Sequence, residues 1–91
     1  MDELMRSILT EIQAGKADFL SGPSREAIQE FQATAKRISE AQRLGYIADA
    51  KEMRGSPTGD ARLVVLAVAI PGGLTSEGER ALLDDYDERA F

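Results

Sequence analysis

Apolar residues recur at helical spacing from the start of the chain, where Leu4, Met5, Ile8, Leu9 and Ile12 form one stripe. Asp2 precedes the stripe and is placed to cap it, its carboxylate accepting from free backbone N–H groups. Ala14-Gly15 marks the stop, since glycine takes the left-handed conformation past a helix end without steric cost. Lys16 to Gly22 reads as a connector with Phe19 and Leu20 turned into the core. Gly22-Pro23-Ser24 is a second start signal, with proline suited to the first turn and Ser24 to the cap. Behind it Ala27, Ile28, Phe31, Ala35, Ile38, Ala41 and Leu44 keep helical period up to Gly45. Two readings of this stretch stand side by side. Ser24 to Leu44 is one long helix, which propensity favours because Gln32 and Ala33 are good helix formers. Alternatively a turn near Gln32 and Ala33 splits it into a helix-turn-helix, with Thr34 capping the second part.

After Gly45 the pattern changes. Tyr46 to Met53 reads as a mixed, partly exposed strand. Arg54-Gly55-Ser56-Pro57-Thr58-Gly59-Asp60 is rich in turn residues. Leu63 to Ile70 returns as a second strand that is apolar on both sides. Leu63, Val65, Ala67 and Ala69 face one way, and Val64, Leu66, Val68 and Ile70 the other. A half-buried antiparallel strand alternates instead, so the second face needs a cover. Either the terminal helix or a second subunit supplies it, and Val64, Leu66, Val68 and Ile70 are the candidate homodimer interface. The plainer alternative is a strand sandwiched within one subunit. Pro71-Gly72-Gly73 ends the strand. Thr75 or Ser76 caps a last helix, and Ser76-Glu77-Gly78-Glu79 has the spacing of a capping box. Leu82, Leu83 and Tyr86 give that helix its apolar side, and Asp84 to Phe91 is an acidic tail. Helices, a two-stranded hairpin with a polar tip and a final helix predict an α+β winged-helix fold, as a single domain over residues 1–91.

Composition narrows the chemistry. The 91 residues include neither cysteine nor histidine. That removes disulfides, zinc–thiolate sites and thiol nucleophiles, together with the commonest catalytic base and metal ligand. Ser7, Ser21 and Ser24 have no histidine to activate them, so neither an enzyme nor a cofactor is expected. Gly15-Lys16 lacks the upstream glycine and the hydroxyl residue of a phosphate loop. Asp84, Asp85, Asp87 and Glu88 lack the spaced oxygen ligands of a calcium loop and read as solvated charge. The longest apolar run, Leu63 to Ile70, is far short of a membrane span, and the start of the sequence lacks signal-peptide order. A cytoplasmic protein with no membrane partner is the plain reading.

The net charge of −5 opposes nucleic-acid binding as a whole. Its distribution is uneven, however. Lys36 to Arg62 holds six bases (Lys36, Arg37, Arg43, Lys51, Arg54 and Arg62) against four acids (Glu40, Asp49, Glu52 and Asp60), and is the net-positive stretch. It coincides with the helix and hairpin that a winged helix presents to DNA.

Three segments resemble a known family. Leu4 to Ile12 resembles the opening helix of YjcQ-like winged-helix proteins. Leu44-Gly45-Tyr46-Ile47 resembles their helix-to-strand junction, and Gly73-Leu74-Thr75-Ser76-Glu77-Gly78-Glu79 the start of their final helix. The resemblance spans Leu4 to about Asp85 and implies a small bacterial, often phage-associated, winged-helix protein. It supplies no catalytic residues. The uninterrupted Ser24 to Leu44 pattern departs from an ordinary recognition helix.

A winged helix that binds double-stranded DNA needs a helix in the major groove and bases reaching phosphates from the wing. The candidates are Gln32, Thr34, Lys36 and Arg37 on the helix, with Lys51, Arg54 and Arg62 around the wing. Arginine can read guanine and glutamine adenine, each through paired hydrogen bonds. The first expectation is therefore a homodimeric, transcription-regulator-like DNA-binding domain. The alternative is a protein-interaction module that uses the same scaffold without touching nucleic acid.

Overall fold

The computed structural model describes residues 1–56 and 63–89. Its elements run α1 (Glu3–Gln13), β1 (Asp18–Leu20), α2 (Arg25–Arg43), β2 (Lys51–Gly55), β3 (Val64–Ala69) and α3 (Ser76–Arg89). The strands form one antiparallel sheet in the order β1-β3-β2. Among the described residues the fold is thus α+β, with three helices and a three-stranded antiparallel sheet.

The first two helices begin and end where local chemistry dictates. Asp2 Oδ1 accepts from the Met5 N–H at 2.8 Å, and Ser24 Oγ from the Ala27 N–H at 3.0 Å. At the end of α1, Gly15 N–H reaches Ile12 C=O and Lys16 N–H reaches Glu11 C=O. This pair of bonds satisfies carbonyls that the helix leaves open. α2 ends the same way, with Gly45 at φ +84° and Tyr46 N–H on Ala41 C=O. Of the two readings of Ser24 to Leu44, the unbroken helix is the one formed. Ile28, Phe31, Ala35, Ile38 and Ala41 are buried along its whole length. Breaking the helix at Gln32 would take part of this stripe off the core.

The connector Lys16 to Gly22 carries β1, and only half of the apolar pair expected inside is there. Phe19 is buried, whereas Leu20 is 72% exposed. In an extended segment neighbouring side chains leave on opposite faces, so a strand cannot bury both on one core.

The first hairpin strand also starts later than its sequence suggests. Tyr46 to Ala50 does not pair with β3, because its backbone is engaged elsewhere. Ile47 forms an isolated bridge with Leu74, and Tyr46 C=O accepts from Thr75 N–H at 2.9 Å. Pairing with β3 begins at Lys51, and Arg54-Gly55 close the strand. The rest of the turn-rich stretch from Pro57 to Asp60 lies outside the described residues, as do Ala61 and Arg62.

A bulge in β3 rearranges the faces read from the sequence. Met53 pairs with Ala67 and Arg54 with Val65, so Leu66 has no opposite number on β2. The extra residue shifts the alternation by one. Val65 therefore turns inward with Val68 and Ile70, while Ala67 and Ala69 face outward with Leu20. Val68 and Ile70 are each 1% exposed and belong to the core of the single chain. They are not available to a second subunit, which corrects the interface expected from Val64, Leu66, Val68 and Ile70. Val64 and Leu66 are half-buried.

Thr75, not Ser76, caps α3: its hydroxyl accepts from Gly78 N–H at 3.0 Å and donates to Gly45 C=O. The third helical position is then Gly78, which has no side chain to return to the cap, so the capping box read from Ser76 and Glu79 does not form. α3 packs chiefly on α1 and continues to Arg89. Leu9, Ile38, Ile47, Val68 and Ile70, each below 2% exposure, mark a centre where α1, α2, β3 and the Tyr46–Ile47 junction meet.

Candidate functional site

Three of the seven residues singled out for DNA contact are engaged by other groups of the same chain. Gln32 lies on the sheet side of α2, at the β3 bulge. Its Nε2 donates to Val65 C=O at 2.8 Å and to Ile28 C=O at 2.9 Å, and its Oε1 accepts from Val65 N–H at 3.0 Å. β1 ends its pairing with β3 one residue earlier, where Ser21 N–H reaches Leu66 C=O. The side-chain amide thus replaces the next strand residue and is not free to read a base. Arg37 contacts Asp2 at 2.7 Å and Glu40 at 3.1 Å. It ties the cap of α1 to α2, with its charge met twice. Arg54 is held by Glu52 at 2.8 Å.

The others are more open. Lys36 and Lys51 are exposed, and Thr34 is half-buried. Neither lysine has an ion-pair partner among the described residues. Lys36 lies on α2 and Lys51 at the start of β2, on the sheet's outer face. Arg62 lies outside the described residues. The bases of the Lys36 to Arg62 stretch therefore do not act as one free cluster.

The exposed surface that the fold does assemble is the outer face of the sheet. Strand register sets Asp18, Ala69 and Lys51 in one cross-sheet row and Leu20, Ala67 and Met53 in the next. The two alanines form a low floor between Leu20 (72% exposed) and Met53 (65% exposed). The depression over them measures about 250 Å³. A second, larger groove of about 700 Å³ runs between α1 and α3, lined by Arg6, Thr10, Gln13, Glu79, Leu82, Leu83 and Tyr86.

No family model, curated protein or solved structure matches the chain.

What these surfaces can do follows from their chemistry. Both grooves are mainly apolar with charged residues at the margin. Among the described residues no three carboxylates converge on a point where a cation could sit. The acidic residues of α3 are not all solvated, since Asp85 is buried and contacts the Met1 amino group at 3.2 Å. Sequence reading missed the outer sheet face because its two walls are single residues, Leu20 and Met53, on different strands. No local period marks it: Asp18 and Leu20 share the outer face and Phe19 takes the inner one, but polar, apolar, apolar over three residues shows no alternation.

Proposed function

We propose that this chain is a non-enzymatic protein-interaction module built on a winged-helix scaffold. The order α1-β1-α2-β2-β3-α3, with β3 between β1 and β2, supports that scaffold, with one continuous α2 in place of a helix-turn-helix. One observation favours protein contact over DNA contact. Gln32 and Arg37, the residues best suited to read bases from α2, make internal hydrogen bonds and ion pairs. To reach a groove they would have to abandon Val65, Asp2 and Glu40. Meanwhile Leu20 and Met53 hold apolar surface in water, which binding another protein would cover. The overall charge of −5 repels phosphates beyond any local patch.

A titration of fluorescently labelled random duplex tests this reading. At about 20 mM salt, where counterion release most favours association, the protein is expected to leave the anisotropy unchanged. Saturable binding that weakens steeply with salt, and whose salt slope falls on Lys36→Ala with Arg37→Ala, would overturn the reading in favour of a DNA-binding domain.

A further inference from the structure

We infer that the outer sheet face is a docking surface for a second copy of this chain, related by a two-fold axis running parallel to β3. This rests on the reading of that face as a protein-contact surface and goes further by naming the partner.

Two cross-sheet rows define this face. Asp18 and Lys51 occupy the same row on opposite edges of the sheet, with Ala69 between them. Two strand spacings, about 10 Å, separate their backbones. Neither side chain has an ion-pair partner among the described residues. The row below repeats the arrangement with apolar groups, Leu20 on one edge and Met53 on the other, across Ala67.

Facing copies about such an axis exchange left and right while keeping each row level. Asp18 of each copy then meets Lys51 of the other, and Leu20 meets Met53. Ala67 and Ala69 meet their own equivalents on the axis. The face is therefore complementary to itself in charge and in apolar content, as an isologous interface must be. No other orientation about that row gives two opposite-charge contacts at once. A sheet turned about an axis across the strands would set Asp18 against Asp18 and Lys51 against Lys51 whenever the charged rows came level. Small floor residues suit close approach, since stacked sheets lie about 10 Å apart and large side chains from the edges can fill the gap. Closure would also cover the open face of the strand that is apolar on both sides.

The expected dimer is weak. Three short strands offer a face about 15 Å wide and 20 Å long, less than the roughly 800 Å² per partner of a standard interface. It belongs with transient, concentration-dependent associations.

Sedimentation of the full chain between about 10 μM and 1 mM, a range suited to weak association, tests the proposal. The wild-type mass should rise from monomer towards dimer. Asp18→Lys and Lys51→Asp each place like charges together at both contacts, and each should weaken self-association at least about tenfold. Mixing the two variants should restore it as a heterodimer, because every contact in the mixed pair again joins opposite charges. The double variant should self-associate like the wild type. Both side chains are exposed, so unchanged circular-dichroism melts are expected for each variant. A wild-type mass fixed at the monomer, a dimer indifferent to the single reversals, or a mixture no better than its components would each overturn the inference. A monomer that also fails to bind duplex would reject the second copy while leaving the protein-contact reading intact. Duplex binding would count against that reading directly.

Discussion

Gly78→Ala should destabilise the protein by about 3 kcal/mol, although alanine is the better helix former. Gly78 is the third residue of α3. A methyl group there would overlap the Tyr46 carbonyl oxygen and sit 2.9 Å from the carbonyl carbon and 3.0 Å from Cα. These are backbone atoms, and they are fixed from both sides. Tyr46 N–H closes the end of α2 on Ala41 C=O, and Tyr46 C=O holds Thr75 N–H at the start of α3. Neither can swing aside without undoing a helix terminus. The propensity gain is at most about 1 kcal/mol, whereas forcing atoms into packed space costs about 1–3 kcal/mol or more when backbone must move. Packing therefore wins, and the melting temperature should fall by roughly 10–20 °C for a domain of this size. Ser76→Ala, in the same turn but exposed, should stay within about 0.5 kcal/mol of wild type. Urea denaturation compares the two. A Gly78→Ala midpoint at or above wild type would mean that α3 does not begin against Tyr46.

Gln32→Leu should cost about 2–4 kcal/mol, the second large effect. Leucine approximates the side-chain volume and is compatible with the helix, so packing and propensity change little. What is lost is the set of bonds to Val65 N–H, Val65 C=O and Ile28 C=O. Ile28 C=O also serves the helix, but the two Val65 groups sit at the bulge where β1 has run out. Leaving a buried backbone group without a partner costs about 1–3 kcal/mol each, partly relieved by water at this half-buried position. The loss should appear as a lower unfolding midpoint and as faster amide exchange in β3 near Val65. A leucine variant as stable as wild type would return Gln32 to the surface, free to contact a ligand.

Gly78 and Gln32 act through contacts distant in sequence, which leave weak local signals, unlike the helix caps and stops. The caps at Asp2 and Ser24 and the stops at Gly15 and Gly45 could be read because each acts on backbone groups within a few residues. The buried stripe of α2 could be read because period alone places Ile28, Phe31, Ala35, Ile38 and Ala41 on one side. The second strand was recognisable as a strand, and Ala67 with Ala69 and Val68 with Ile70 do share faces as read, but Val65 was assigned to the wrong face. Nothing in a run of aliphatic residues marks Leu66 as the one left unpaired. The capping box was misread because Ser76-Glu77-Gly78-Glu79 is locally adequate, and only the demand of Gly45 C=O for the Thr75 hydroxyl shifts the cap by one residue.

The candidate site fared similarly. Lys36 and Lys51 are exposed, as basic residues usually are. Arg37 and Arg54 are exposed enough to see water but are bound to carboxylates, Arg37 partly to Asp2 from another helix. A count of charges along the chain cannot distinguish a free base from one already matched. Nor could it bring Leu20 and Met53 to opposite sides of an alanine floor.

The chain by itself determined where its first two helices begin and end, that Leu63 to Ile70 would hold a strand, and that thiol and imidazole chemistry were absent. These depend on residue identity and on neighbours a turn away. Tertiary structure alone decided that Gln32 would complete a strand 33 residues distant, that Val68 and Ile70 would lie inside, and that Asp18 and Lys51 would share a row. Such pairings are chosen by whole-chain packing, where a polar group takes the partner that burial leaves unsatisfied, and no local pattern encodes that choice.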